Sequence, residues 1–311
     1  MGHPRWRSDR GVKRRPAEAA ASAVSSPYLV PFDGSFRVDR APTGPPDDAP
    51  GKDGNRARLA AATSELDDLQ RRLYAENRHS LLLIFQAMDA AGKDGTIRAV
   101  MSGVDPSGCQ VYSFKAPSEE ELDHDFLWRT AVRLPERGRI GIFNRSWYEE
   151  VLIVRVHPVF LQRQRLPGTI EGDQFWHERF QSIREHELHL ARNGTVIVKF
   201  WLNVSRDEQR ERFLARIEEP EKNWKFASGD VRERIHWDAY MHAYQEALRE
   251  TSRPWAPWYA IPADSKSWMR TCVAEIIVAT LGNLNMEYPT IGDHERVKLA
   301  EMRTLLDSEE R

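Results

Sequence analysis

Apolar runs of strand length punctuate the chain at Leu81–Gln86, Cys109–Phe114, Arg139–Phe143, Thr195–Leu202 and Trp258–Pro262. The first is apolar at every position but its end, the signature of a strand covered on both faces and hence of a parallel sheet. Between the runs, apolar residues recur at helical spacing. Leu59, Leu66, Leu69, Leu73 and Tyr74 mark an amphipathic helix over Arg56–Glu76. Thr96–Ser102 continues as a helix, and Ser118 with Glu121 forms a capping box that opens another running to about Leu134. Phe175–Arg192 is a long helix stopped by Asn193-Gly194; further helices run from Ser205 to Pro220, to about Arg249, from Ser265 to Leu281, and from about Asp293. Strands alternating with helices predict an α/β chain: three layers, a parallel sheet of five strands, helices on both faces and right-handed crossovers. Ligands in such sheets bind beyond the carboxyl ends of the strands. That edge would gather the Gln86–Lys93 loop, Lys115, the Asn144–Glu149 segment and the Asn203–Ser205 turn.

Residues 1–24 are a basic tail with Arg5, Arg7, Arg10, Lys13, Arg14 and Arg15, read as disordered. Residues 25–55 form an extended, Pro-rich wrap, because PTGPPDDAPGK removes backbone donors; Tyr28, Leu29, Phe32, Phe36 and Val38 are its candidate docking points. A core domain over 56–290 and a C-terminal helix over 291–311 complete the division. Among 311 residues, 41% are hydrophobic and 30% charged, as in a globular chain with a charge-rich surface. The apolar runs are too short for a bilayer, and the N-terminus lacks a secretory core, so the cytoplasm is the expected address and no membrane is expected. Cys109 and Cys272 lie in no C-x-x-C pair, which suggests neither a disulfide framework nor a zinc site. The formal net charge of -2 gives no global attraction to polyanions, nucleic acid included; any polyanion site must be local.

Candidate chemistry begins at Ser80–Lys115, where a strand breaks into a turn carrying Ala91, Gly92 and Lys93 and then into a helix. Backbone N–H groups at such a turn, with Gly95 and Thr96 following, can cradle phosphate while Lys93 supplies a point charge. The turn departs from G-x-x-x-x-G-K-[ST]: Ala87 replaces the first glycine and Asp94 the hydroxyl. Asp89 and Asp94 flank Lys93, and a phosphate cradle tolerates such carboxylates when a hard cation sits between, which points to magnesium, with manganese as substitute. Asp94 equally suits an ordinary helix N-terminus. Asn144, Arg145, Tyr148 and Glu149 follow the third strand, where Arg145 could grip a transferring phosphate, or where the segment could simply cap a helix. PEKNWKF at Pro220–Phe226 reads as a lid over about 220–240, or as a surface loop whose aromatics pack on the body. His186 and His189 lack a third metal ligand, and Ser146 lacks a G-x-S-x-G elbow.

FQAMDAAGKDGTIRAVMSG, FNRSWYEEVLIVRVHP and PEKNWKFASGDVRER, in that order, resemble the family-2 polyphosphate kinases, particularly their class III branch, over about Phe32–Pro289. The resemblance implies a P-loop kinase fold with a helical lid. It also implies magnesium-dependent transfer of the terminal phosphoryl of inorganic polyphosphate to AMP, ADP or related nucleotides, by a homo-oligomer, often a tetramer. By motif, Asp89 and Lys93 would be central, Asp94 and Thr96 would complete the loop, and Arg145 would hold phosphate. Lys222 and Lys225 would close the lid, and Arg179 and Arg212 would line a polyphosphate channel. ADP-restricted relatives read F-D-R-S-W-Y-N, where this chain has Asn144 and Glu149, so acceptor preference would follow from those positions, with Lys115 nearby. Losing a carboxylate at Asn144 shifts the metal burden to Asp89. The competing readings are an ATP-consuming nucleoside monophosphate kinase of the thymidylate type and a non-enzymatic polyanion binder.

Overall fold

The computed structural model describes residues 23–168 and 172–309, so residues 1–22 of the expected basic tail lie outside the described residues. The five expected strands form a single parallel sheet: β1 (Ser80–Gln86), β2 (Cys109–Ser113), β3 (Ile140–Asn144), β4 (Thr195–Asn203) and β5 (Trp258–Pro262), in the order β2-β3-β1-β4-β5. Every β1 residue is buried, as its unbroken apolar run requires. Leu81 of β1 sits opposite Ile140 of β3 and Val196 of β4, which places the carboxyl ends Gln86, Asn144 and Asn203 along one edge. The chain leaves β1 toward β2 and later crosses to β4 on the opposite side. The crevice beyond β1 and β3 is therefore the topological switch point.

The helices follow in order: α1 (Lys52–Glu76), α2 (Lys93–Val100), α3 (Glu119–Leu122), α4 (Trp128–Ala131), α5 (Ile153–Val156), α6 (Val159–Gln162), α7 (Asp173–Arg192), α8 (Arg206–Glu218), α9 (Ser228–Arg232), α10 (Trp237–Thr251), α11 (Lys266–Gly282) and α12 (Asp293–Glu309). α1 and α2 pack on α11 along one face, and α7 with α10 covers the other. α1 starts four residues before the expected Arg56, because Asn55 Nδ2 donates to the Pro50 carbonyl at 2.7 Å and folds the chain into helix directly after the Pro-rich stretch.

The capping box of Ser118 and Glu121 is present, but the expected helix to Leu134 is broken into α3 and α4. The cause is local: Asp125 Oδ1 accepts from the Leu127 amide at 2.9 Å, offering the backbone a turn in place of a helical bond. The Pro-rich wrap docks by backbone, with Val30 N donating to Trp258 O at 2.9 Å and Ala260 N to Tyr28 O at 2.8 Å along β5. Val30 is fully buried and Tyr28, Leu29, Phe36 and Val38 pack on the core, whereas Phe32 stays exposed. No helix among the described residues is long and apolar enough to cross a membrane.

Candidate active site

The loop after β1 is shaped by two residues of positive φ, Ala90 at 62° and Gly92 at 107°. A Cβ on Gly92 would stand 3.2 Å from Met269 Cε in an already left-handed conformation, so glycine is required there on both counts. Gly92 caps α2, whose first residue is Lys93. The Lys93 ammonium reaches back over the turn and donates to the Ala87 carbonyl at 2.8 Å. Burial lowers its pKa from the ordinary value, while the charge of Asp89 opposes the shift and Arg145 adds to it. Thr96 Oγ1 donates to the Gly92 carbonyl at 3.0 Å, which turns the hydroxyl onto the loop's own backbone. Ala91 is buried beneath the turn, and a Cβ on Gly95 would meet Arg270 Nη2 at 3.3 Å.

The second element is the turn after β3. Arg145 has φ 66°, and its amide donates to the Phe85 carbonyl at 3.0 Å, stitching this turn to the end of β1. Its guanidinium then donates to Asp89 Oδ1 at 2.9 Å and lies 3.8 Å from Glu149 Oε2. Burial works against the cation, but Glu149 and Asp89 outweigh it and raise the Arg145 pKa. Gln86 Nε2 donates to Glu149 Oε1 at 2.8 Å, and Asn144 Nδ2 to Asp94 Oδ1 at 2.5 Å. Two cations and three carboxylates thus gather at two strand ends, Arg145 between Asp89 and Glu149, Asp94 on Asn144, and Lys93 on the carbonyl of its own loop. Beside it a cavity of about 190 Å³ is lined by Lys115, Phe126, Arg145, Trp147, Glu149 and Phe160 among others. Its aromatic and aliphatic walls suit a flat apolar ring, with Arg145 at hand for an anion.

The remaining expected site residues are placed as follows. Arg212, expected in a polyphosphate channel, is buried below the loop. Its Nη1 donates to the carbonyls of Ala90 (3.1 Å) and Ala91 (2.6 Å), and its Nη2 to those of Ala263 (2.6 Å) and Asp264 (3.2 Å). With Nε on Glu208 at 2.7 Å, the guanidinium serves as the floor of the loop. Arg179 lies 3.0 Å from Glu150 and packs between Phe126 and Phe175, so its charge is matched within the wall beside the cavity. Lys222 pairs with Glu219 one turn away, and Lys225 ends the 3-10 turn Pro220–Lys225.

Three contributors escaped sequence reasoning. Gln209 Nε2 donates to the Asp89 carbonyl at 2.8 Å and Gln209 Oε1 accepts from Arg234 Nη1 at 2.6 Å, linking the 220–240 segment to the loop. Asp230, on α9, lies 3.5 Å from Arg216, and its carboxyl is pushed up first by burial and then by the charge of Asp89. Glu233 accepts from Tyr240 Oη at 3.0 Å and lies 2.8 Å from His157 Nε2. For Asp230 and Glu233 the signal in sequence was the density of charge between Glu221 and Arg234; Gln209 had none.

Among the described residues, no group of three or more His, Cys, Asp or Glu side chains is placed to hold a metal. A hard cation that keeps most of its water needs only one or two protein carboxylates besides substrate phosphate. Asp89 fits, because its Arg145 bond engages one carboxylate oxygen and leaves the group partly exposed at the crevice. Asp94 is exposed at the first turn of α2.

A parallel sheet with a lysine-bearing turn at its switch point, an arginine from the neighbouring strand end and an aromatic cavity beside them defines a phosphotransferase of the P-loop kinase class. The comparisons narrow this. Residues 50–289 match the family model described as Polyphosphate kinase 2 (PPK2). The chain is 59% identical over 249 residues to the ADP-polyphosphate phosphotransferase of Rhodopseudomonas palustris, covering 80% of this chain and 86% of that protein. It is 47% identical over 267 residues to the AMP/ADP-polyphosphate phosphotransferase of Meiothermus ruber, covering 84% and 94%. The crystal structure of polyphosphate kinase 2 from Arthrobacter aurescens TC1 superposes with a TM-score of 0.78 at 37% identity, over 90% of this chain and 99% of that one. The chain belongs to the polyphosphate kinase 2 family.

Proposed function

We propose that the protein transfers the terminal phosphoryl group of inorganic polyphosphate to AMP and ADP. The observation that carries this is the convergence of Lys93, Asp89 and Arg145 from two strand ends next to an aromatic-walled cavity. The names of the relatives support the donor and both acceptors. The acceptor base would enter the cavity by Lys115, with Asn144 and Glu149 at its phosphate end and Arg145 between acceptor and donor. The polyphosphate end would lie on the amides of Ala91–Thr96. An acceptor phosphate oxygen forms the new P–O bond while the terminal anhydride P–O bond breaks, leaving a polyphosphate one unit shorter. The acceptor oxygen is already anionic, so no general base is needed, consistent with a cluster built of charges rather than around a histidine. Lys93 and Arg145 neutralise the equatorial oxygens. Magnesium, or manganese, held by Asp89 with Asp94 close by, would supply further neutralisation. The 220–240 segment, with Lys222 and Lys225, would act as the lid that excludes water. A cytoplasmic homotetramer belongs to the same reading by resemblance.

Turnover of AMP with polyphosphate, followed in wild type and Lys93→Ala, tests this assignment. The expected loss in kcat is about 10²–10³-fold, as for removal of a preorganised charge at the transferring group. A Lys93→Ala protein that retains wild-type kcat would remove Lys93 from the mechanism.

A further inference from the structure

The strand β4 carries a lysine where every neighbour is apolar. Lys199 is fully buried, as are Glu187 on α7 and Tyr148 in the turn after β3. The Lys199 ammonium donates to Glu187 Oε2 at 2.6 Å, to Tyr148 Oη at 2.8 Å and to the Thr251 carbonyl at 2.9 Å. The Tyr148 hydroxyl in turn donates to Glu187 Oε1 at 2.8 Å. All three N–H bonds of the ammonium, both carboxylate oxygens and both roles of the phenol are used. The ring of Tyr148 stands edge to face on Trp258 at 4.7 Å, whose Nε1 donates to Thr251 Oγ1 at 2.9 Å.

A buried ion pair is a poor source of stability, since apolar residues of similar volume usually serve as well or better. Its use must lie in what it orients. Of its three members, only Tyr148 belongs to a segment of the active site, standing three residues after Arg145 and one before Glu149. The segment is the 3-10 turn Trp147–Val151, a short element with little capacity to hold its own shape. Its Ser146 cap accepts from the Tyr148 amide at Oγ (3.2 Å) and from the Glu149 amide at its carbonyl (3.2 Å), both local bonds within the turn. Arg145, at positive φ, is held at its amide by the Phe85 carbonyl, and Tyr148 anchors the same turn from its other end.

We infer that Lys199 and Glu187 form a buried socket for the Tyr148 hydroxyl, and that this socket is a positioning device for the acceptor side of the site. It holds Arg145 and Glu149 against the cavity without touching substrate. The inference rests on the acceptor assignment above and deepens it. The phosphate loop has its own supports in Arg212 and Gln209, although Arg145 also bonds to its Asp89. A fault in the socket should therefore reach the acceptor more strongly than the donor.

Tyr148→Phe removes one oxygen and keeps the packed ring. Glu187→Gln is nearly isosteric, keeps an acceptor for Tyr148 and removes the charge facing Lys199. Initial rates with AMP varied at saturating polyphosphate, and the reverse, give the two Michaelis constants; calorimetric titration with AMP gives its Kd without turnover. The expected result in both variants is an increase of about tenfold in AMP KM and Kd, the scale of one lost buried hydrogen bond. The KM for polyphosphate stays within about twofold. The inference is overturned if AMP Kd is unchanged in both variants, or if both Michaelis constants move in parallel. Wild-type protein that binds AMP but transfers nothing from polyphosphate refutes the proposed function instead, and the AMP Kd of the variants still decides this inference.

Discussion

At the scale of single residues, the chain places basic groups under burial and uses each differently. Lys93 stays at the crevice, on the carbonyl of its own loop, where a phosphate oxygen can replace Ala87 as its partner. Arg212 is spent on carbonyls and ties the loop to α8 and to the segment after β5. Lys199 lies in the sheet, where burial lowers its pKa from 10.5 to about 8. That shift has a sign: between pH 8 and about 10.5 the folded chain has released the Lys199 proton and the unfolded chain has not. Stability from this group therefore rises with pH through that window, and the cost of burying the charge is at full strength below pH 8. Urea midpoints of wild type and Lys199→Met, taken from pH 7 to 9.5, test this. The wild type should gain on the variant as pH increases; a constant difference would show that Lys199 keeps its proton throughout.

At the scale of elements, the phosphate loop is a turn held from below by a helix. Arg212→Ala removes bonds to carbonyls of the loop and of the segment after β5 together, leaving buried acceptors without partners. It is expected to cost about 3–5 kcal/mol in urea unfolding and to weaken both substrates. If Arg212 instead lined a polyphosphate channel, the same variant would raise only the polyphosphate KM and leave stability intact. The strands, the capping box and the phosphate turn were legible in sequence, because apolar runs, Ser118 with Glu121 and the Gly92-Lys93 pair are local signals. The bonds of Arg212 were not, since composition cannot say whether a guanidinium points up at solvent or down at a carbonyl. The break between α3 and α4 depended on one Asp125 side chain choosing its own backbone. Lys199 was visible as the single charge in TVIVKFWL, but its partners come from α7 and the β3 turn, far away in sequence.

At the scale of the whole molecule, the parallel sheet gathers Gln86, Asn144 and Asn203 at one edge. The chemistry assembles there from loops distant in sequence. The Arg234–Gln209–Asp89 chain joins the 220–240 segment to the same edge, so that segment and the loop meet through one side chain. The central claim concerns the donor, because an ATP-consuming nucleoside monophosphate kinase would share the sheet, the loop and the lid. Phosphorus NMR of the protein with magnesium, in one sample with polyphosphate and AMP and in another with ATP and dTMP, separates the two most directly. The account predicts ADP and then ATP resonances growing as polyphosphate end groups are consumed in the first sample, with no dTDP in the second. Product in the second sample alone would contradict it.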